Sequence, residues 1–501
     1  NLRTLVDENV SHGQENLIVG DVKQAIYRFR NGEWNLLHSE VEDYYGETAE
    51  TENLEKNWRS DGVIVNFNNH IFNPDHAPAI AEDSIRLLLE NKYILEEEAD
   101  FRQVDDITRI FENSAQELPE NSSKKGKGYV EINFISDPEE SETELEFESI
   151  SKHDENYLAK LYNIFLNLQD NDYSAGDIAI LCRRIKEIKN TVQYIEILKS
   201  NPEHFPGLDA DMLNYINNEA LQISNNRYVR YILANFRMML EPENELHHVE
   251  LLSIVEEDVN IIKEDSSRVD KVKLWRDRQE SLEGTSILEI SELLLNYIPI
   301  DKLDEHAIYL EAFHEEIIKY QSEYGSYLPE FLEWWDSENP SLSLPENLNA
   351  IQLMTVHKSK GLEFPVVLMP FANWDMGPGS GHANIMWTTY NEFNMPINWT
   401  YNSLNSVFRN EVLEEIVNMR IDTINLMYVA MTRAVNELYV LADTLSGKKA
   451  RMRDKGNGYY PDNLNELLFD YVESNSDQFN ELEVIDGVKT YFIGLQEARD
   501  R

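Results

Sequence analysis

Three cations, an amide and two aromatic rings fall within the stretch Gly20-Asp21-Val22-Lys23-Gln24-Ala25-Ile26-Tyr27-Arg28-Phe29-Arg30. An amide at Gln24 can sense a terminal phosphate and the water that attacks it. Tyr27 and Phe29, two residues apart and interleaved with Arg28 and Arg30, suit stacking on unpaired bases. On residue types alone the block fits a strand end with a basic rim equally well.

Three more blocks carry similar chemistry. Leu54-Glu55-Lys56-Asn57-Trp58-Arg59-Ser60 sets an indole beside a guanidinium. Thr355-Val356-His357-Lys358-Ser359-Lys360-Gly361-Leu362-Glu363-Phe364 follows a strand pattern and opens a helical turn, so its backbone N–H groups and cations can face a phosphate. Leu426-Met427-Tyr428-Val429-Ala430-Met431-Thr432-Arg433-Ala434 ends a helical pattern on a cation. Read one at a time, Arg59 is a surface arginine, His357 a structural histidine and Arg433 a helix-end charge. The adjacent pair His247-His248 cannot chelate one metal, because neighbouring helix positions do not face each other, and no metal site is expected. The single cysteine, Cys182, lies in an apolar run and reads as a buried strand residue, in keeping with a reducing cytoplasm.

The elements that must hold these blocks follow from periodicity. Leu17-Ile18-Val19 reads as a short buried strand ending at Gly20-Asp21. Ile64 to Phe72 reads as helix, and Ser122 to Gly128 as a flexible surface linker. Tyr129 to Ile135 alternates as a strand, with Val130, Ile132 and Phe134 on one face. Asp177 to Cys182 is a second buried strand. From about Arg227 to Pro345 the pattern is helical, with Phe313, Ile317 and Tyr320, and Leu328, Phe331, Leu332 and Trp335, as core faces. Strands resume at Ile351 to Thr355 and Val366 to Met369. A long helix from about Val407 to Ala434 then leads to a strand at Leu438 to Ala442.

The balance of 92 acidic to 44 basic residues gives a net charge of -48, which argues against a polyanionic partner. Its distribution softens that objection: Val22 to Gly32 and Gln352 to Leu362 contain cations and no acid, whereas Asp137 to Glu148, nearly all carboxylate, reads as a solvated loop. No stretch approaches the ~20 apolar residues of a membrane span, and no leader is visible. A chain opening on Asn1 reads as an internal fragment, and its 501 residues suggest roughly three structural units.

Taken as strings in this order, the four blocks resemble motifs III, IV, V and VI of superfamily 1 DNA helicases of the UvrD/RecB/AddA type, with Gly-Asp-x-Lys-Gln in the form found in RecB and AddA relatives. The resemblance implies that Gln24, Arg59 and Arg433 act at the γ-phosphate of ATP, that Trp58 stacks on adenine where Tyr or Phe is commoner, and that Gly361 and Glu363 border the nucleotide. It implies a DNA track of Tyr27, Phe29, Arg30, Thr355, His357 and Lys358. The fold implied is α/β: RecA-like P-loop NTPase domains, parallel sheets flanked by helices, with a large mainly helical insertion. Residues 1–50 would finish the first RecA-like domain, 51–225 and 346–445 would form the second, 226–345 the insertion, and 446–501 an extension or linker toward a nuclease domain.

The implied cofactors are ATP and Mg²⁺, the implied partners single-stranded and duplex DNA and a helicase-nuclease subunit, and the family's usual polarity is 3′ to 5′. No Gly-x-x-x-x-Gly-Lys-Ser/Thr string occurs, and no Asp-Glu pair sits on a buried strand before Gly20. The chain alone is therefore expected to be inactive. A non-catalytic RecA-like scaffold that binds DNA or holds a nuclease is the alternative.

Overall fold

The computed structural model describes residues 2–28, 41–46, 49–50, 52–73, 110–111, 114–136, 147, 150–217, 222–241, 244–247, 284–296, 298, 303, 306–342, 349–378, 384–390, 393–454, 461–482 and 488–499. Phe29, Arg30, His248 and the acidic run 137–148, apart from Phe147, lie outside that set. The described chain divides into two compact units, Asn1–Ile216 with Asn349–Arg501, and Asn217–Leu348.

The first unit is built on a mixed, mainly parallel sheet. Its strands are β1 (Tyr129–Ile135), β2 (Ile178–Cys182), β3 (Tyr215–Asn217), β4 (Ile351–Thr355), β5 (Phe364–Met369), β8 (Ala434–Asp443), β9 (Asn480–Glu481) and β10 (Val488–Gly494). They lie in the order β3-β4-β2-β5-β8-β1-β10-β9, while β6 (Ile385–Tyr390) and β7 (Phe393–Asn398) form a separate antiparallel hairpin. Strands β4, β2, β5, β8 and β1 run parallel, and β10 closes antiparallel onto β1.

Parallel strands must be covered on both faces, and that is why β1 and β2 are buried throughout. Val130, Ile132 and Phe134 do share one face, packed with Ile64 and Phe67 of a helix at Gly62–Ile71. The opposite face of β1, Tyr129 and Ile135, meets Leu158, Leu161 and Phe165 of the helix Lys152–Asp170. Cys182 is 1% exposed, and burial pushes its thiol up, away from reactivity.

In chain order the helices used below are α1 (Leu2–Ser11), α2 (Gly62–Ile71), α3 (Lys152–Asp170), α4 (Ile185–Ser200), α5 (Arg227–Leu240), α6 (Ile287–Leu295), α7 (Ala307–Tyr324), α8 (Leu328–Glu338), α9 (Val356–Ser359), α10 (Arg409–Met431) and α11 (Leu464–Ser474). The second unit packs α5 to α8 around Val229, Phe236, Phe313, Ile317, Phe331 and Trp335, each essentially without exposure.

Two expectations need correction. Leu17-Ile18-Val19 is not a strand: it is irregular, with Leu17 88% and Val19 73% exposed. A three-residue apolar run becomes a strand only where a neighbouring strand offers a ladder, and no described strand pairs with it. The Ser122–Gly128 run is not a loose linker either. The carbonyls of Lys124 and Lys127 accept the backbone N–H groups of Gly62 and Val63 at 2.9 Å, so this turn satisfies the first turn of α2, where Asp61 makes no side-chain cap. Gly128 permits it: its φ is +105°, and a Cβ there would sit 3.0 Å from that of Asp61. Residues beyond 445, expected as an extension, supply α11 to the core and β10 to the sheet.

One core group makes stability depend on pH. Glu437 on β8 is 2% exposed. Burial lifts its carboxyl to about 7, hydroxyls of Tyr439 and Tyr173 donate into it and pull the other way, and Glu131 on neighbouring β1 adds to the rise. Because the folded value exceeds the ordinary 4.5, the associated stability is complete below about pH 4.5 and is lost as pH climbs through 7. Glu437→Gln is expected to raise the thermal midpoint at pH 8, by at most about 3 kcal/mol of stability, and to leave it unchanged near pH 4.5. Parallel pH profiles for the two proteins would refute this.

Candidate active site

At the edge where β5 and β8 begin, Arg59 and Arg433 converge on one residue. Arg59 Nε donates to Glu363 Oε2 at 2.8 Å, and Arg59 Nη1 to the carbonyl of Thr432 at 3.4 Å. Arg433 Nη2 donates to Thr432 Oγ1 at 3.1 Å, its Nη1 to the carbonyl of Leu362 at 3.0 Å, and its Nε to that of Val429 at 2.9 Å. Burial, and next the charge of Arg59, push Arg433 down to about 10, so it remains a cation at neutral pH. Two guanidiniums therefore share one carboxylate, Glu363, whose side chain is 59% exposed. Such a pair is set to stabilise an added anion.

The backbone that presents Arg59 is locked by groups the sequence reading passed over. Asn57 Oδ1 accepts the N–H groups of Arg59 and Ser60 at 2.9 Å, a local turn of the kind short amides favour. Ser60 Oγ donates to the carbonyl of Ala434 at 2.7 Å, the Asp61 N–H to that of Val435 at 2.8 Å, and Asn436 Nδ2 to Asp61 Oδ2 at 2.8 Å. Lys124 Nζ donates to the carbonyls of Trp58 and Arg59. The 54–60 block is thereby sewn to the start of β8. Trp58 itself is 76% exposed, its indole open to solvent beside Arg59. Gly361 turns the chain at φ +88° two residues before Glu363.

The 20–28 segment meets the 355–364 block. A single 3₁₀ turn, Val22–Gln24, is capped by Asp21, whose carboxylate accepts the Lys23 N–H at 3.1 Å and Gln24 Nε2 at 2.9 Å. Lys360 Nζ donates to the Gln24 carbonyl at 2.8 Å and stands 5.3 Å from the Tyr27 ring centroid. Tyr27 is half-buried, and its hydroxyl donates to the His357 carbonyl at 2.9 Å, with the two rings 5.9 Å apart. Thr355 ends β4 and His357 and Lys358 lie on the short helix α9 that follows. Lys23 Nζ lies 5.8 Å from the ring of Tyr428, whose carbonyl accepts Thr432 Oγ1 at 2.7 Å, so this segment also borders the arginine cluster.

Arg28 is the exception among the expected cations: it is committed to Glu415 and Asp422 of α10. Phe29 and Arg30 lie outside the described residues.

Known proteins carry the same arrangement of sequence. The model of a family described as UvrD-like helicase C-terminal domain matches residues 300–444. A Lactobacillus helveticus protein, described as the first of the ATP-dependent helicase/nuclease subunits, is 23% identical over 487 residues, covering 86% of this chain and 37% of the relative. The chain belongs with the UvrD/RecB/AddA-type helicases. The same-named protein of Lacticaseibacillus paracasei is 35% identical over a shorter 141 residues, 25% of this chain and 11% of the relative. The "Exonuclease/helicase subunit RexA" of Streptococcus pneumoniae is 21% identical over 507 residues, 89% of this chain and 39% of the relative. This UvrD-type chain thus spans under two fifths of the length of the curated relatives that it matches over most of its own. The mainly parallel sheet flanked by helices is the α/β architecture such helicases require, and among the described residues no helix is long and apolar enough to cross a membrane.

Proposed function

We propose that the chain is the C-terminal portion of an ATP-dependent DNA helicase or translocase that moves on single-stranded DNA, with 3′ to 5′ polarity, and unwinds duplex in recombination and repair beside a helicase-nuclease partner. The observation that carries this is the convergence of Arg59 and Arg433 on Thr432 beside Glu363, from blocks at opposite ends of the chain. Their residues fit the phosphate end of ATP: two cations with one partly exposed carboxylate can accept a further anion, and the exposed Trp58 indole beside them can stack on a base. Arg433 and Arg59 would stabilise charge spreading over the γ-phosphoryl oxygens, Gln24 would orient the attacking water, and Gly361 and Glu363 would border the nucleotide. Mg²⁺ supplies charge neutralisation of the phosphates, through ligands expected upstream of Gln24. Tyr27, Phe29, Arg30, Thr355, His357 and Lys358 would form the DNA track.

In this reading 1–50 completes one RecA-like domain, 51–225 with 346–445 makes the second, 226–345 is the helical insertion, and 446–501 leads toward a further domain. The 501-residue chain alone is expected to bind single-stranded DNA but to turn over no ATP, since it contains no phosphate-loop string. The full-length protein is expected to hydrolyse ATP in a DNA-dependent way and to displace a strand from a partial duplex. DNA-stimulated turnover by the isolated chain would contradict the assignment of its missing parts. A full-length protein that binds DNA without any turnover would favour a scaffold.

A further inference from the structure

Arg28 makes three hydrogen bonds to one helix: Nε to Asp422 Oδ2 at 2.6 Å, Nη1 to Glu415 Oε2 at 2.8 Å and Nη2 to Glu415 Oε1 at 2.9 Å. Glu415 and Asp422 are seven positions apart on α10, two turns along one face, so a single planar fork grips both. Its side chain is 32% exposed and those of its partners 20% and 29%, which shields the trio from the screening that weakens surface pairs. Burial alone would disfavour the charge on Arg28, but the bonds to Glu415 and Asp422 outweigh it and hold the guanidinium above its ordinary range.

The two ends of this clasp belong to different parts of the proposed machinery. Tyr27 is the residue beside Arg28, and its ring and hydroxyl lie against Lys360 and His357. Helix α10 runs without interruption from Arg409 to Met431 and delivers Thr432 and Arg433. Asn425 of α10, the residue three past Asp422, adds a weaker bond to the carbonyl of Ala25 at 3.5 Å, so contact between segment and helix continues beyond Arg28.

We propose that Arg28 is a positioning residue that fixes the Tyr27 segment on α10, so that DNA engaged at Tyr27 is sensed at Arg433 through a rigid helix. This rests on the motor reading above. Arg28 touches neither DNA nor nucleotide in this role; it determines how strongly one stimulates the other.

The test uses the full-length protein, with ATP turnover measured without DNA and across a titration of oligo-dT at two salt concentrations. Arg28→Ala, Glu415→Gln and Asp422→Asn are each expected to leave DNA-free turnover within about twofold and half-saturating oligo-dT within about threefold. Each should cut the turnover at saturating DNA by about tenfold. Arg28→Ala combined with Glu415→Gln should be no worse than Arg28→Ala alone, the non-additivity expected of one shared contact. Thermal midpoints are read in parallel, and where Arg28→Ala does not fold, the two acidic variants carry the test.

Three results would overturn the proposal: normal stimulation in the acidic variants, additive losses in the double variant, or weakened DNA binding in Arg28→Ala with a salt slope shallower by about one, which would place Arg28 on a phosphate. An unmodified protein with no turnover at all defeats the motor reading itself, which separates that failure from failure of the clasp.

Discussion

Replacing Arg433 or Arg59 by alanine in the full-length protein is expected to lower DNA-stimulated ATP turnover by about 10³ to 10⁵ while changing ATP affinity by less than about tenfold. The split follows from where charge develops: the γ-phosphoryl oxygens gain interaction with a guanidinium mainly as the bond breaks, so losing it costs turnover more than binding. The two variants differ in one respect that the structure makes explicit. Arg433 is 2% exposed and donates to the carbonyls of Val429 and Leu362, so its truncation also leaves acceptors unpaired, at about 1 to 3 kcal/mol each. Arg59, with a third of its side chain exposed and a carboxylate partner, leaves no comparable hole. Arg59→Ala should therefore keep a near-normal thermal midpoint and Arg433→Ala should lose several degrees, yet both should lose turnover. Arg433→Lys retains a cation but cannot serve three acceptors from one plane, and it should resemble alanine in rate. Rates within a few-fold of the unmodified protein for both alanine variants would remove these residues from the phosphate site.

Tyr27→Ala is expected to weaken single-strand binding by roughly 10- to 100-fold, the range of a lost stacking platform at about 1 to 3 kcal/mol, with ATP affinity spared. The ring already lies near the Lys360 ammonium, so a base would share it with a cation. Tyr27→Phe separates the two roles of the side chain. It keeps the π-face and gives up only the bond to the His357 carbonyl, so its DNA affinity should stay within about fivefold. Equal losses in the phenylalanine and alanine variants would mean that the hydroxyl's grip on the 355–364 block matters, rather than stacking. Oligo-dT binding measured by fluorescence anisotropy decides between them.

What could be read from the sequence was what local pattern dictates. The alternation of β1, the apolar run of β2 and the helical spacing of Phe313, Ile317 and Tyr320 each produce the buried face that they imply. The arginine pair was legible as residue types, but its meeting point at Thr432 depends on tertiary contacts that no spacing encodes. Asn57, Ser60, Asp61 and Lys124, which hold Arg59 in place, look like ordinary loop polar residues until the backbone carbonyls they serve are known. Arg28 misled for the opposite reason: a cation amid aromatics reads as a phosphate contact, and only the distant Glu415 and Asp422 show that its charge is already matched. The solvent-exposed hairpin of β6 and β7 also escaped notice, because its two runs mix apolar and amide residues without clean alternation.

The position of β1 between β8 and β10 sets an order of synthesis. Residues 129–135 leave the ribosome early, yet their parallel neighbour is made some three hundred residues later and their antiparallel neighbour, Val488–Gly494, later still. Until both exist, a seven-residue strand with Val130, Ile132 and Phe134 has unpaired backbone on both sides, a template for association with other nascent chains. Shortened versions ending near 444, where the family match stops, would keep that edge permanently bare and should aggregate. Versions carried through Gly494 should stay monodisperse.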